Sequence, residues 1–282
     1  MLWPHFERYA MRSAQHLLLR IAPALVVLLT ACATSVSEPG AQLPWQALHP
    51  AVATLEFAPV PDSRVHVMRV DLQARGVRVE LSPMTERGQT LDAMASGRGA
   101  LLSINASFFD ARFAPRELTT SQGERWAPVM LAGVAPVFAC TVALSCEITF
   151  EAPVQDLAAW AMAVGGTPWL LRTGTQRQAS DDGSCHSLCA QTHPRTAIGL
   201  DRRGRFLYLV QAEGRRAPVL GLTLVQLSSV MHQVGAFNAM NLDGGGSSSL
   251  LVNGQSRMAR PANEPQMRRL ANALHVFVGS AS

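Results

Sequence analysis

Val65, Val67, Val77, Val79 and Leu81 interleave with Arg64, His66, Arg78 and Glu80. A period of two is that of a half-buried strand, so the pattern predicts two strands joined at Ala74-Arg75-Gly76. Apolar runs predict further strands at 100–104, 129–131, 146–150, 169–171, 196–200, 206–211, 239–242, 249–252 and 273–278. Asp201-Arg202-Arg203-Gly204 reads as the hairpin turn between two of them. Residues 90–96 are a short helix candidate, and one longer helix is well marked. There Thr223 and Gln226 form a capping-box pair, Leu224, Leu227, Met231 and Val234 share a face, and Gly235 supplies the stop. Many strands, few helices and no alternation of strand with helix predict an α+β fold. The expected form is a single domain over about 62–279, with a mixed, mainly antiparallel twisted β-sheet core flanked by a few helices.

The N-terminus follows a different pattern. Arg12 and Arg20 precede an apolar stretch at 21–29 that is too short to span a bilayer as a stable helix. It ends in Leu29-Thr30-Ala31-Cys32, which looks like a bacterial lipobox. Residues 1–31 are therefore expected to be a lipoprotein signal peptide, with Met1 or Met11 as its start, and Cys32 the lipidated N-terminus. Residues 32–61, rich in Pro, Ala and Ser and without a sustained period, read as a flexible tether. The expected location is the bacterial envelope, on the periplasmic side of the outer membrane, with the membrane as a partner through the lipid.

Composition narrows the chemistry. All 24 basic residues are arginine, which excludes Schiff-base lysines, phosphate-loop lysines and Ser-Lys dyads. Without residues 1–31, which hold three arginines and one glutamate, the net charge is +2. The arginines are scattered, so nucleic acid is not an expected partner. Four cysteines remain beyond Cys32, and an even number in an exported chain predicts disulfides. Cys140 with Cys146 and Cys185 with Cys189 is the simplest of three connectivities. A zinc site from Cys185, His186, Cys189 and His193 is the alternative at the second pair.

Four segments carry candidate chemistry. In Asn241-Leu242-Asp243-Gly244-Gly245-Gly246-Ser247 a strand delivers Asn241 and Asp243 to its end, and three glycines turn the chain. Glycine lets backbone amides approach a ligand, and successive amides form an anion-binding nest. Alone, the same run is equally a flexible hairpin. In Asn105-Ala106-Ser107-Phe108-Phe109, Asn105 can hold a hydroxyl or an anion, and an aromatic face such as that of Phe109 suits a sugar ring. In His193-Pro194-Arg195-Thr196, Arg195 offers a fork suited to phosphate. Gly165 and Gly166 in Gly165-Gly166-Thr167-Pro168 bring a tight turn to a strand start.

Together and in this order, these segments resemble the phosphodiester glycosidase family, over roughly 64–278 and including Arg269-Leu270-Ala271-Asn272-Ala273-Leu274. That family includes the lysosomal enzyme that uncovers mannose 6-phosphate and bacterial envelope proteins linked to exopolysaccharide. Its first motif commonly reads Asn-Gly-Gly-Phe-Phe, where this chain has Ala106 and Ser107. The resemblance implies a hydrolase that cleaves the sugar C1–O bond of a sugar 1-phosphodiester in envelope or extracellular glycan. The leaving phosphomonoester has a conjugate acid of pKa about 6, so neutralising its charge matters more than protonating it. Expected catalytic residues are Asp243, Arg195 and His193. Expected substrate contacts are Asn105, Phe109, Gly165, Gly166, Thr196, Asn241, Gly244, Gly245, Gly246 and Ser247. Asp110, Asp182 and Glu213 are unranked candidates for a second carboxylate. A divalent metal is conceivable, but no residue is assigned to one. The alternatives are a non-catalytic lipoprotein that binds anionic, phosphodiester-containing glycan, and a metal-dependent phosphodiesterase, for which clustered His and Asp ligands are few.

Overall fold

Phe206–Ala212 (β14) and Arg195–Leu200 (β13) are buried nearly throughout, because layers cover both faces of the sheet they share. The computed structural model describes residue 40 and residues 42–126, 135–150, 159–183 and 185–279, all within the unit Ser37–Ser282. The central sheet has eight strands in the order β1-β2-β3-β14-β13-β15-β11-β12. Its other members are β1 (Gln46–His49), β2 (Val52–Phe57), β3 (Val65–Asp71), β11 (Trp169–Arg172), β12 (Thr175–Gln176) and β15 (Asn238–Leu242).

Two five-stranded sheets lie against one face. One runs β17-β16-β5-β18-β4, with β4 (Arg78–Leu81), β5 (Leu102–Asn105), β16 (Leu250–Val252), β17 (Gln255–Ser256) and β18 (Ala273–Phe277). The other runs β7-β6-β10-β8-β9, with β6 (Thr119–Ser121), β7 (Glu124–Arg125), β8 (Val137–Cys140), β9 (Cys146–Thr149) and β10 (Met162–Gly165). Met68, Leu209, Ile198 and Met240 of the central sheet meet Ile104, Leu250, Phe138 and Val164 in this core. On the opposite face, Val67, Ala197 and Val210 pack against α3 (Leu224–Gln233) through Leu227, Val230 and Met231. The capping box forms as expected, with Gln226 N donating to Thr223 Oγ1 at 3.2 Å and Thr223 N to Gln226 Oε1 at 2.9 Å. Two shorter helices are α1 (Leu91–Ala95) and α2 (His186–Ala190).

Several expectations change. Every strand pairing among the described residues is antiparallel, so no sheet is mixed. β3 and β4 do not form a hairpin: β3 pairs with β2 and β14, while β4 pairs with β18 in another sheet. The alternation in both strands is real, but alternation does not encode the partner. β1 and β2 lie inside the segment read as tether, and their half-exposed edge positions conceal the period. The strand expected at 129–131, the signal peptide 1–31 and Cys32 fall outside the described residues. Both disulfides join nearest neighbours, Cys140–Cys146 across the β8–β9 pair and Cys185–Cys189 along α2. The zinc alternative at the second pair loses its thiolates to that bond.

Candidate active site

Register brings the site together. Arg195 lies opposite Ala212, and Thr196 opposite Leu242, so β13, β14 and β15 end at one edge of the central sheet. Residues 193–195, 213–215 and 243–246 therefore leave the sheet side by side. They surround a cavity of about 410 Å³, lined by Asp243, Asn241, Gly244–Gly246, His193, Arg195, Arg215, Arg268 and Phe108 among others. Asp243 and Arg195 thus line one cavity.

Asp243 is held by its main chain: its N–H donates to Ala106 O at 3.0 Å and its carbonyl accepts from Asn105 Nδ2 at 2.6 Å. Burial pushes its carboxyl up to about 6. The nearby Ser247 hydroxyl, without a well-aligned hydrogen bond, the Gly244 amide, and the charges of Arg268 and Arg116 oppose that shift.

Asn105 and Thr196 are scaffold rather than cavity wall. Asn105 Oδ1 accepts from Thr196 Oγ1 at 3.0 Å, Gln211 Nε2 at 3.0 Å and Ser249 N at 3.1 Å. This buried network pins the strand end beneath Asp243 and holds Asn105 out of the cavity lining. Phe108, not Phe109, faces the cavity. Phe109 turns the other way, onto Phe113 and the small cluster of Leu91, Met94 and Leu251. Gly165 and Gly166 are buried away from the cavity. Asn241 does line it, with Nδ2 donating to Thr167 O at 2.7 Å and a buried Oδ1 that has no partner among the described residues.

The anion nest is largely occupied from within. Gly244 N–H serves the Asp243 carboxylate, Gly245 N donates to Pro194 O at 2.8 Å, and Ser247 N to Gly244 O at 3.1 Å. Arg195 is likewise engaged: 2 % exposed, it donates from Nε to Leu222 O at 2.8 Å and from Nη2 to Leu188 O at 2.6 Å and Gln191 O at 2.9 Å. Burial, with Arg215 beside it, lowers its pKa to about 10 against the pull of Asp182, so it stays charged at neutral pH. It secures α2, which forms one wall.

Arg215 and Arg268, which the sequence did not single out, stand at the glycine turn. A Cβ at Gly245 would lie 3.1 Å from Arg215 Nη1, and one at Gly246 would collide with the Arg268–Glu264 ion pair. Arg215 Nη2 also donates to His193 Nδ1 at 3.2 Å. Burial and the charges of Arg195 and Arg215 lower the His193 pKa, so the ring is neutral, with its proton on Nε2. None of the three carboxylates considered beforehand faces the cavity. Asp110 caps its own turn through Arg112 N and Ala114 N, Asp182 pairs with Arg177, and Glu213 is buried against His66 and Ala259 N. A further buried carboxyl, Glu117, lies next to Asp243 but outside the cavity lining, 7 % exposed. Burial pushes it up to about 7, Arg116 opposing and the Asp243 charge adding to the shift. Its position after Arg116 and before the short polar strand β6 carries no sequence signal.

A family model described as phosphodiester glycosidase matches residues 98–277. N-acetylglucosamine-1-phosphodiester alpha-N-acetylglucosaminidase of Mus musculus is 35% identical over 114 residues, covering 37% of this chain and 22% of that protein. The Homo sapiens enzyme is 34% identical over 101 residues, covering 32% and 19%. The chain therefore matches only about a fifth of the length of these relatives. Among solved structures, the catalytic domain of the zebrafish enzyme, auto-inhibited by its pro-peptide, superposes with a TM-score of 0.66 at 19% identity, covering 84% of this chain and 86% of that one. A Burkholderia pseudomallei protein described as exported gives 0.60 at 14% identity, with 76% and 74% covered.

Proposed function

The chain belongs to the phosphodiester glycosidase family, and from that premise we propose that it hydrolyses the glycosidic C1–O bond of a sugar 1-phosphodiester. The observation that carries the reading is a raised carboxyl, Asp243, opening into the same cavity as Arg215, Arg268 and neutral His193. In this reading the phosphate lies against the two guanidiniums, which take up the charge that grows on the leaving oxygen. Asp243 faces C1, where positive charge develops, and accepts the proton of the attacking water. Phe108 and Asn241 border the sugar. The substrate is envelope or extracellular glycan, and the protein is exported and tethered through lipidated Cys32; two disulfides agree with an oxidising compartment.

Purified protein offered nitrophenyl-phosphoryl sugars in ¹⁸O water tests this. The label is expected in the sugar. Asp243→Asn is expected to lower kcat about 10²- to 10⁴-fold, and Arg215→Ala to raise KM about tenfold or more. Label in the phosphate, or binding without release of product, overturns the proposal.

A further inference from the structure

Two bare α-carbons separate Glu117 from the strand end that bears Asp243. A Cβ on Gly165 would lie 2.4 Å from Glu117 Cβ, and one on Gly166 would lie 2.4 Å from Asn241 O and 3.1 Å from Leu242 Cδ2. Any larger residue at either position would force the two acids apart. The other flank is tied as well: Asp243 N donates to Ala106 O at 3.0 Å, and Arg116 N to Phe108 O at 2.9 Å. Glu117 is thus fixed behind Asp243, outside the cavity wall, with Oε2 buried and unpartnered among the described residues.

A buried carboxyl with one oxygen unpartnered is tolerated far better as a neutral acid than as an anion, and here only the residue's own main-chain amide and Arg116 pull the other way. The charged groups that reach Glu117 are Arg116 and Asp243, and those that reach Asp243 are Arg268 and Arg116. We propose that Glu117 is a positioning residue that stays a neutral acid while Asp243 is ionised, so that one negative charge, not two, faces the anionic substrate. This rests on the reading of Asp243 as the carboxylate at C1. The pair then titrates in two steps, with apparent values of about 6 and about 7. Ionising Glu117 adds a second negative charge behind Asp243 and weakens binding of the anionic substrate.

The test is the pH profile of kcat/KM for the wild type and Glu117→Gln, whose amide imitates the neutral acid in shape. Wild-type activity is expected to rise through the lower value and fall through the upper one. Glu117→Gln should keep the rise, lose the fall, and stay within about threefold of wild type at the optimum. A folded variant that keeps the upper fall, or is inactive at every pH, overturns the inference. A readout without turnover separates this from the assigned reaction: ¹³C carboxyl titration of labelled glutamate in the wild type and Asp243→Asn. Removing the neighbouring charge should move the Glu117 titration to lower pH, and an unmoved titration overturns the pairing even where no substrate is found.

Discussion

Arg195 donates to three main-chain carbonyls, whereas Arg215 donates to His193 and leans on Gly245. Carbonyls that surround a guanidinium satisfy it without neutralising it, so Arg195 keeps its charge and contributes it as field rather than contact. Arg195→Met would leave those acceptors unpaired, each costing about 1–3 kcal/mol. The expected result is a marked fall in Tm, while Arg215→Ala leaves Tm nearly unchanged and raises KM. Thermal melts and Michaelis curves on both variants check this, and the opposite pattern would return the phosphate to Arg195. Tautomer matters here too. Because Arg215 donates to Nδ1, the neutral ring carries its proton on Nε2, which serves the Ser187 main chain, and His193 borders the cavity without being a cation.

Elements meet the site through close approach as well as through pairing. Gly166 lets the turn before β11 press against β15, where Asn241 O would be 2.4 Å from an added methyl. Backbone cannot yield as a side-chain tip does, so Gly166→Ala is expected to cost about 1–3 kcal/mol and to lower kcat by displacing Asp243. Thr223→Ala removes one half of the α3 capping box at about 1 kcal/mol and should leave kcat alone, since α3 packs on the far face of the sheet. Denaturant curves and rates on the pair distinguish a spacer in the site from a support beneath it. The Asp201–Gly204 hairpin was legible in the sequence, and extending its register would have found Arg215 opposite the entry to β13. Glu117 was not legible, because it meets Asp243 only through β10 and the 106–108 segment, both far from Asp243 in sequence order.

At the scale of the whole molecule, Glu117 ties stability to pH. Its folded value of about 7 lies above the unattached value of 4.5, so its contribution is complete below about pH 4.5 and is lost as pH rises through 7. The difference corresponds to about 3 kcal/mol. His275, lowered to about 4 by burial and then Arg98, acts in the opposite sense over part of this range, so the wild-type curve alone is ambiguous. The difference between proteins is not: Glu117→Gln should gain about 3 kcal/mol relative to wild type between pH 4.5 and 8. Unfolding curves at several pH values measure it, and a constant offset would mean that Glu117 ionises freely in the fold.

What the sequence by itself determined is local or one-dimensional. Period-two alternation, the Thr223 and Gln226 cap, the hairpin turn and the order of the four motifs were all readable because each depends on neighbours along the chain. The nearest-neighbour disulfides were its simplest reading as well. Only the tertiary structure decided which sheet β4 joins, that β1 and β2 complete the central sheet, that Phe108 rather than Phe109 faces the cavity, and that Arg195 is caged by carbonyls while Arg215, bonded to His193, and Arg268, paired with Glu264, border the cavity. The reason is that a side chain's partner is set by strand order and register between segments far apart, and the same arginine or carboxyl acquires its charge state and its contacts from whatever that packing brings to it.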